Sequence, residues 1–274
     1  MGKLALIALA LALAACGSDH AKPDASIPTD SQPIDAKPID AEMIDAPSYD
    51  FSCLGNTGKT TAPDTVTVSG TTVSVGSGGG SPIGGVALAV YKVSAPTVAL
   101  DTTTSATDGS FSATLSTGGV PLDTFITATL ASYRTSYVYT AQPIAASATG
   151  VDLPVIAQAT FAQLSSALGN QDDTKNGALL VTTLDCSGKS ITNATLAVTQ
   201  GGTPVGTVVN LGFASQTLAD VFFVFNVPDG DTQVSASASA TTFPETPRTI
   251  TAHEAPAGGE GTLTIVTLIP GPTG

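Results

Sequence analysis

The chain is poor in the residues that carry most enzyme chemistry. Trp is absent, aromatic residues make up 5%, and 274 residues contain only two His, three Cys and nine Lys plus Arg. Serine hydrolysis needs a base beside the hydroxyl, and no Gly-x-Ser-x-Gly elbow is present. Zinc needs three or four His, Cys or acidic ligands, and cysteines at positions 16, 53 and 186 do not supply them. His20 and His253 read as solvated surface residues rather than bases or ligands. No catalytic residue, no cofactor and no metal site is expected, and the chain reads as not an enzyme. Charged residues total only 11%, and 22 acids outweigh the bases to give a formal net charge of −13. That balance repels phosphate backbones, so nucleic acid is excluded as a partner. It also excludes electrostatic attachment to anionic lipid. No apolar run is long enough to span a bilayer: Leu4–Ala15 is twelve residues, and about 20 are needed.

Those twelve residues have another reading. Lys3 precedes them and small residues end them, which is the pattern of an export signal over residues 1–15. The closing Leu13-Ala14-Ala15-Cys16 resembles the lipobox of bacterial lipoproteins. The resemblance implies cleavage before Cys16, acylation of Cys16 and attachment to a membrane through that lipid, since two or more acyl chains anchor stably where one does not. Gly17 and Ser18 follow, not the Asp that in this family retains proteins in the inner membrane. The implied location is the cell envelope, at the outer membrane.

Residues 16–52 then form a spacer. Positions 17–52 hold seven Asp and one Glu against two Lys. Asp30, Asp35, Asp40, Asp45 and Asp50 recur at a strict period of five. That period matches neither helix nor strand, so no apolar face accumulates. Repeated Pro blocks helix, and like charges favour extension. At ~3.1 Å per residue the spacer reaches at most ~110 Å, holding the folded part away from lipid. Calcium binding by these Asp residues is disfavoured, because a site needs about six to eight converging oxygens.

From Ala62 the texture changes. Thr65–Ser69, Val86–Tyr91, Phe111–Leu115 and Phe125–Leu130 alternate apolar and polar residues, separated by Gly and Pro clusters. Short alternating runs punctuated by turn residues predict an antiparallel sandwich. A second set begins near Gly177, with strands expected at 178–184, 195–199, 205–211, 221–227, 233–238, 248–252 and 262–269. Pro82–Val90 aligns with Ser190–Val198 at a constant offset of 108, ending in a shared Leu-Ala-Val. An offset of one sandwich domain implies a tandem repeat. Residues Ser81–Val90 and Thr107-Asp108-Gly109-Ser110-Phe111 resemble the carboxypeptidase-regulatory-like, transthyretin-like domain. The second copy departs from that pattern, with Leu218–Phe223 where the Thr-Asp-x-Gly-x-Phe element would stand. The resemblance implies a seven-stranded sandwich with structural, adhesive or binding roles.

The fold class expected is therefore all-β: two tandem Ig-like or transthyretin-like antiparallel sandwiches, residues 53–156 and 177–274, joined by a helical connector at 157–176. Within the connector, Phe161, Leu164 and Leu168 share one helix face and Gly169 is placed as its stop. Gly55-Asn56-Thr57-Gly58-Lys59-Thr60 ends like a phosphate-binding loop, but Cys53 stands where its first Gly belongs and Pro63 follows where a helix should. Asp172–Gly177 imitates the start of an EF-hand loop without the Glu at its end. Cys53 and Cys186 are a candidate disulfide, since thiols outside the cytoplasm tend to pair. The function expected is a non-catalytic structural or interaction role with a protein or glycan partner. The alternative is carbohydrate or cell-wall binding, for which Tyr133, Tyr137 and Tyr139 are the candidate stacking residues.

Overall fold

The structure, a computed structural model, describes residues 48–76, 79–170, 173, 175–213, 218–253 and 261–271. The expected export signal, most of the expected spacer and Cys16 lie outside them. Residues from Tyr49 onward belong to one compact unit.

Among the described residues the chain is all-β with one α-helix. In order it forms β1 (Thr65–Gly76), β2 (Gly79–Pro82), β3 (Ala87–Lys92), β4 (Ala95–Thr104), β5 (Ser110–Ser116), β6 (Thr124–Thr129), β7 (Thr135–Tyr139) and β8 (Ala148–Ile156). Helix α1 (Gln158–Ala167) follows. Then come β9 (Gly177–Thr183), β10 (Thr195–Gln200), β11 (Thr203–Pro204), β12 (Thr207–Asn210), β13 (Val221–Val227), β14 (Gly230–Ala238), β15 (Thr241–Ala252) and β16 (Thr262–Leu268).

The duplication is visible in the pairing. In the first copy β1 pairs antiparallel with β5 and parallel with β8; in the second, β9 pairs antiparallel with β13 and parallel with β16. Facing these, β4-β3-β6-β7 in the first copy corresponds to β11-β10-β14-β15 in the second. Strands β3 and β10 stand at the same offset of 108 that the aligned residues have. The sandwiches are not purely antiparallel, because each copy ends on a strand that returns parallel to its first.

The copies share a sheet. Parallel pairing of β16 with β7, Thr262↔Thr135 to Ile265↔Val138, joins the two into one eight-stranded sheet of order β12-β13-β9-β16-β7-β6-β3-β4. Its two halves are covered from opposite sides. The layer of β1, β2, β5 and β8 covers one face of β3 and β6, enclosing Val66, Leu88, Leu115, Ile126 and Leu153. The layer of β10, β11, β14 and β15 covers the other face of β9, β13 and β16, enclosing Val181, Val224, Val234, Phe243 and Val266. Helix α1 covers the face of β9 and β13 that this second layer leaves open, with Phe161 and Leu164 against Leu180, Phe223 and Phe225. Strands β9, β13 and β16 are thus buried on both faces, which is why they read as near-continuous apolar runs such as Val221-Phe222-Phe223-Val224-Phe225. The connector helix packs by the expected face and stops at Gly169, whose φ of 73° admits glycine readily.

Local chemistry sets the register. The β1–β8 ladder shifts between Val68 and Gly70, and a Cβ at Gly70 would sit 1.8 Å from the Val151 carbonyl oxygen, so only glycine lets the strands meet. At the Thr107–Ser110 turn, Gly109 has φ 81° and Asp108 Oδ1 accepts hydrogen bonds from the Ser110 N–H and hydroxyl.

Candidate functional site

Three features gather the residues with binding or anchoring potential. The first is the clamp on the incoming chain. The Sγ atoms of Cys53 and Cys186 are 2.00 Å apart, a disulfide across 133 residues of sequence. Around it, Asp185 Oδ1 accepts hydrogen bonds from the Ser187 N–H, the Ser187 hydroxyl and the Lys189 N–H, while Oδ2 accepts from the Asp50 N–H. The Cys186 N–H in turn donates to the Asp50 carbonyl. Burial pushes the Asp185 carboxyl up, but the bonds from Ser187, Asp50 and Lys189 outweigh that and hold it below the usual carboxylate value. Phe51 packs 5.9 Å from Phe243, and the Tyr49 hydroxyl meets that of Thr192. Tyr49, Asp50 and Phe51, expected to belong to the spacer, are docked on the second copy: the rings of Tyr49 and Phe51 find apolar cover there, and Asp50 is held by the hydrogen bonds with Asp185 and Cys186. Gly271, near the other end of the described chain, lies against Cys53, where a Cβ would be 3.1 Å from the Cys53 carbonyl oxygen.

The second feature is an apolar cavity of about 600 Å³. The layer containing β1 and β8 covers β3 and β6, and α1 covers β9 and β13. Between these covers a cavity remains over the face of the central sheet around β7, β16 and β9. Val75, Val138, Leu180, Phe223, Ile265 and Ile269 are among its walls. Asp152 and Asp220 also line it.

The third feature is a pair of polar welds between the copies. Arg134, fully buried, donates from Nε to Gln158 Oε1 at 2.9 Å and from Nη1 to the Thr262 carbonyl at 3.1 Å, with its guanidinium 3.7 Å from the Phe161 ring centre. It joins β7, α1 and β16. A Cβ at Gly261 would fall 2.2 Å from its Nη2, so the guanidinium packs directly against this glycine. On the opposite face Arg248, 3% exposed, pairs with Asp123, and the Thr251 N–H donates to the Tyr139 hydroxyl at 3.0 Å. Neither arginine is marked by its neighbours in the chain, because burial of a long cation is decided by partners far away in sequence.

The other sequence candidates separate. Tyr139 is buried at 4% exposure and stacks on Phe125 at 5.2 Å. Tyr137 is half-buried and stacks 4.0 Å from the His253 ring. Tyr133 packs with the first copy's core instead, its hydroxyl beside that of Ser74. The three do not form one stacking face. His253, expected to be a solvated surface residue, is half-buried; burial holds its imidazole below the ordinary value, against an opposing contribution from the Asp229 charge. Gly55–Thr60 is an exposed irregular segment with no helix after it. Among the described residues, no three of His, Cys, Asp or Glu cluster to hold a metal ion, and no helix is long and apolar enough to cross a membrane.

No family model matches the chain, and no curated protein matches it. Solved structures do. The Bacillus anthracis TIE protein matches at 13% identity with a TM-score of 0.25, over 75% of this chain and 34% of that one. A streptococcal ancillary pilin matches at 13% identity and TM-score 0.25, over 76% and 63%. The shaft pilin SpaA of Lactobacillus rhamnosus GG matches at 13% identity and TM-score 0.27, over 76% and 98%. The chain thus spans about a third of the first and less than two thirds of the second.

Proposed function

We propose that this chain is a lipid-anchored cell-envelope protein, held by acylated Cys16 and serving a non-catalytic structural or interaction role. The observation that carries the reading is the clamp. The chain enters the fold through a segment bonded at Cys53–Cys186 and docked by Asp50, Phe51 and Tyr49. A pull arriving through the spacer meets a covalent bond to the core before it meets any strand edge. The welds at Arg134 and Arg248 and the shared sheet suit the same role, since they couple the two copies into one body. The carboxypeptidase-regulatory-like resemblance of the sequence also points to structural, adhesive or binding work.

The test is fractionation of cells expressing the full chain and its Cys16→Ala variant. The parent is expected in the outer-membrane fraction and labelled by a palmitate analogue. The variant is expected unlabelled and released from that fraction. Retention of Cys16→Ala at the parental level defeats the anchor.

A further inference from the structure

We propose that the cavity between the β1–β2–β8 layer and the central sheet binds a single-chain apolar molecule with a positively charged head, an alkylammonium in chemical class. The volume of about 600 Å³ falls in the ~300–1,000 Å³ range of small-molecule sites. Its walls are Val, Leu, Ile and Phe side chains from both copies. Water held against such walls lacks the polar partners it needs, whereas an aliphatic chain removes apolar surface from water there.

The charge of the lining selects the head. Among the described residues, the only charged side chains lining the cavity are Asp152 and Asp220; Lys, Arg and His are missing from it. Asp220 is 5% exposed, and among the described residues no cation or hydrogen-bond donor partners its carboxylate. A carboxylate lining so apolar a space has no counter-charge there, and an ammonium entering the cavity supplies it. A fatty acid or phosphate ester brings a second negative charge to the same place and is rejected by it. The neutral residues Thr140, Thr182, Ser190 and Thr267 also line the space and add no charge that would oppose an ammonium. The formal net charge of −13 adds a long-range bias of the same sign.

The test uses the full chain carrying Cys16→Ala, so that neither lipid nor detergent is present; the anchor can fail its own test without affecting this one. The neutral fluorophore N-phenyl-1-naphthylamine is titrated in, then displaced by dodecyltrimethylammonium or dodecanoate, each below its micelle concentration. Saturable probe binding is expected, with the ammonium displacing at a concentration about tenfold below the carboxylate. Asp220→Asn is expected to erase most of that preference while leaving probe binding intact. Val138→Trp, which fills the cavity, is expected to abolish probe binding with an unchanged circular dichroism spectrum. If Val138→Trp does not fold, the head-group preference and its loss in Asp220→Asn decide alone. Absence of saturable probe binding, equal displacement by the two amphiphiles, or an undiminished preference in Asp220→Asn overturns the proposal.

Discussion

Reduction of the Cys53–Cys186 bond, or its replacement in a Cys53→Ala/Cys186→Ala double variant, removes a cross-link spanning 133 residues of sequence. In the chain-entropy account, a closed loop of that length restricts the unfolded state by about 5 kcal/mol at 25 °C. The folded state loses little in comparison. Phe51 still packs on Phe243 and the Asp50 N–H still reaches Asp185, so the change falls mainly on the unfolded ensemble. A loss of about 3–5 kcal/mol is therefore expected from urea unfolding, with a larger m-value because the reduced chain exposes more surface when unfolded. Intact mass with and without reductant checks the starting point, through the expected gain of about 2 Da when the bond is reduced. A stability loss below about 1 kcal/mol, with the bond present in the parent, would refute the entropic argument and with it the clamp as a source of stability.

Other perturbations probe the junction of the two copies. Phe161→Ala removes a fully buried ring packed 5.8 Å from Phe225 and 6.0 Å from Phe223; thermal or urea unfolding is expected to show a loss of about 3–5 kcal/mol. Asp123→Ala leaves the guanidinium of Arg248 buried without its carboxylate, and a loss of about 3 kcal/mol is expected, largely restored when Arg248→Met is added. His253 has its folded-state value lowered by burial. The unfolded chain therefore takes up the proton first as pH falls below about 6.5, so stability is full above that pH and declines beneath it. Comparison of urea midpoints between pH 7.5 and 5 is expected to show this decline in the parent and a weaker one in His253→Gln.

Much of the secondary structure is legible because it is local. The alternation in Ser110–Ser116, exposed and buried by turns along the strand, is a direct imprint of the two faces of a sheet. The double-sided burial of Val221–Val227 is likewise written in its unbroken apolar run. The i, i+3, i+7 spacing of Phe161, Leu164 and Leu168 fixes a helix face, and Gly169 fixes its end. The Leu-Ala-Val shared at the offset of 108 marks two copies, and the pairing of β1 with β5 and β8 repeats in β9 with β13 and β16. The candidate site is far less legible. Asp220 sits in an unremarkable Leu-Ala-Asp-Val, and Arg134 in a turn between two strands; neither neighbourhood tells of burial.

What the sequence determines by itself is the all-β character, the strongly alternating strands, the connector helix and the duplication, since periodicity, turn chemistry and helix stops act over a few residues; β4, β7 and β8, with weaker alternation, are not among the runs it marks. Tertiary structure alone decides how the copies meet. Parallel pairing of β16 with β7 joins strands more than 120 residues apart, with no connecting turn to announce it. That single choice makes the sheet continuous, places the two covering layers on opposite faces and leaves the cavity between one layer and α1. Tertiary structure likewise decides that Cys53 meets Cys186 and that Tyr49–Phe51 dock on the second copy. Proximity of this kind is a property of the assembled fold, because each contact is selected by the surface that all the others bury.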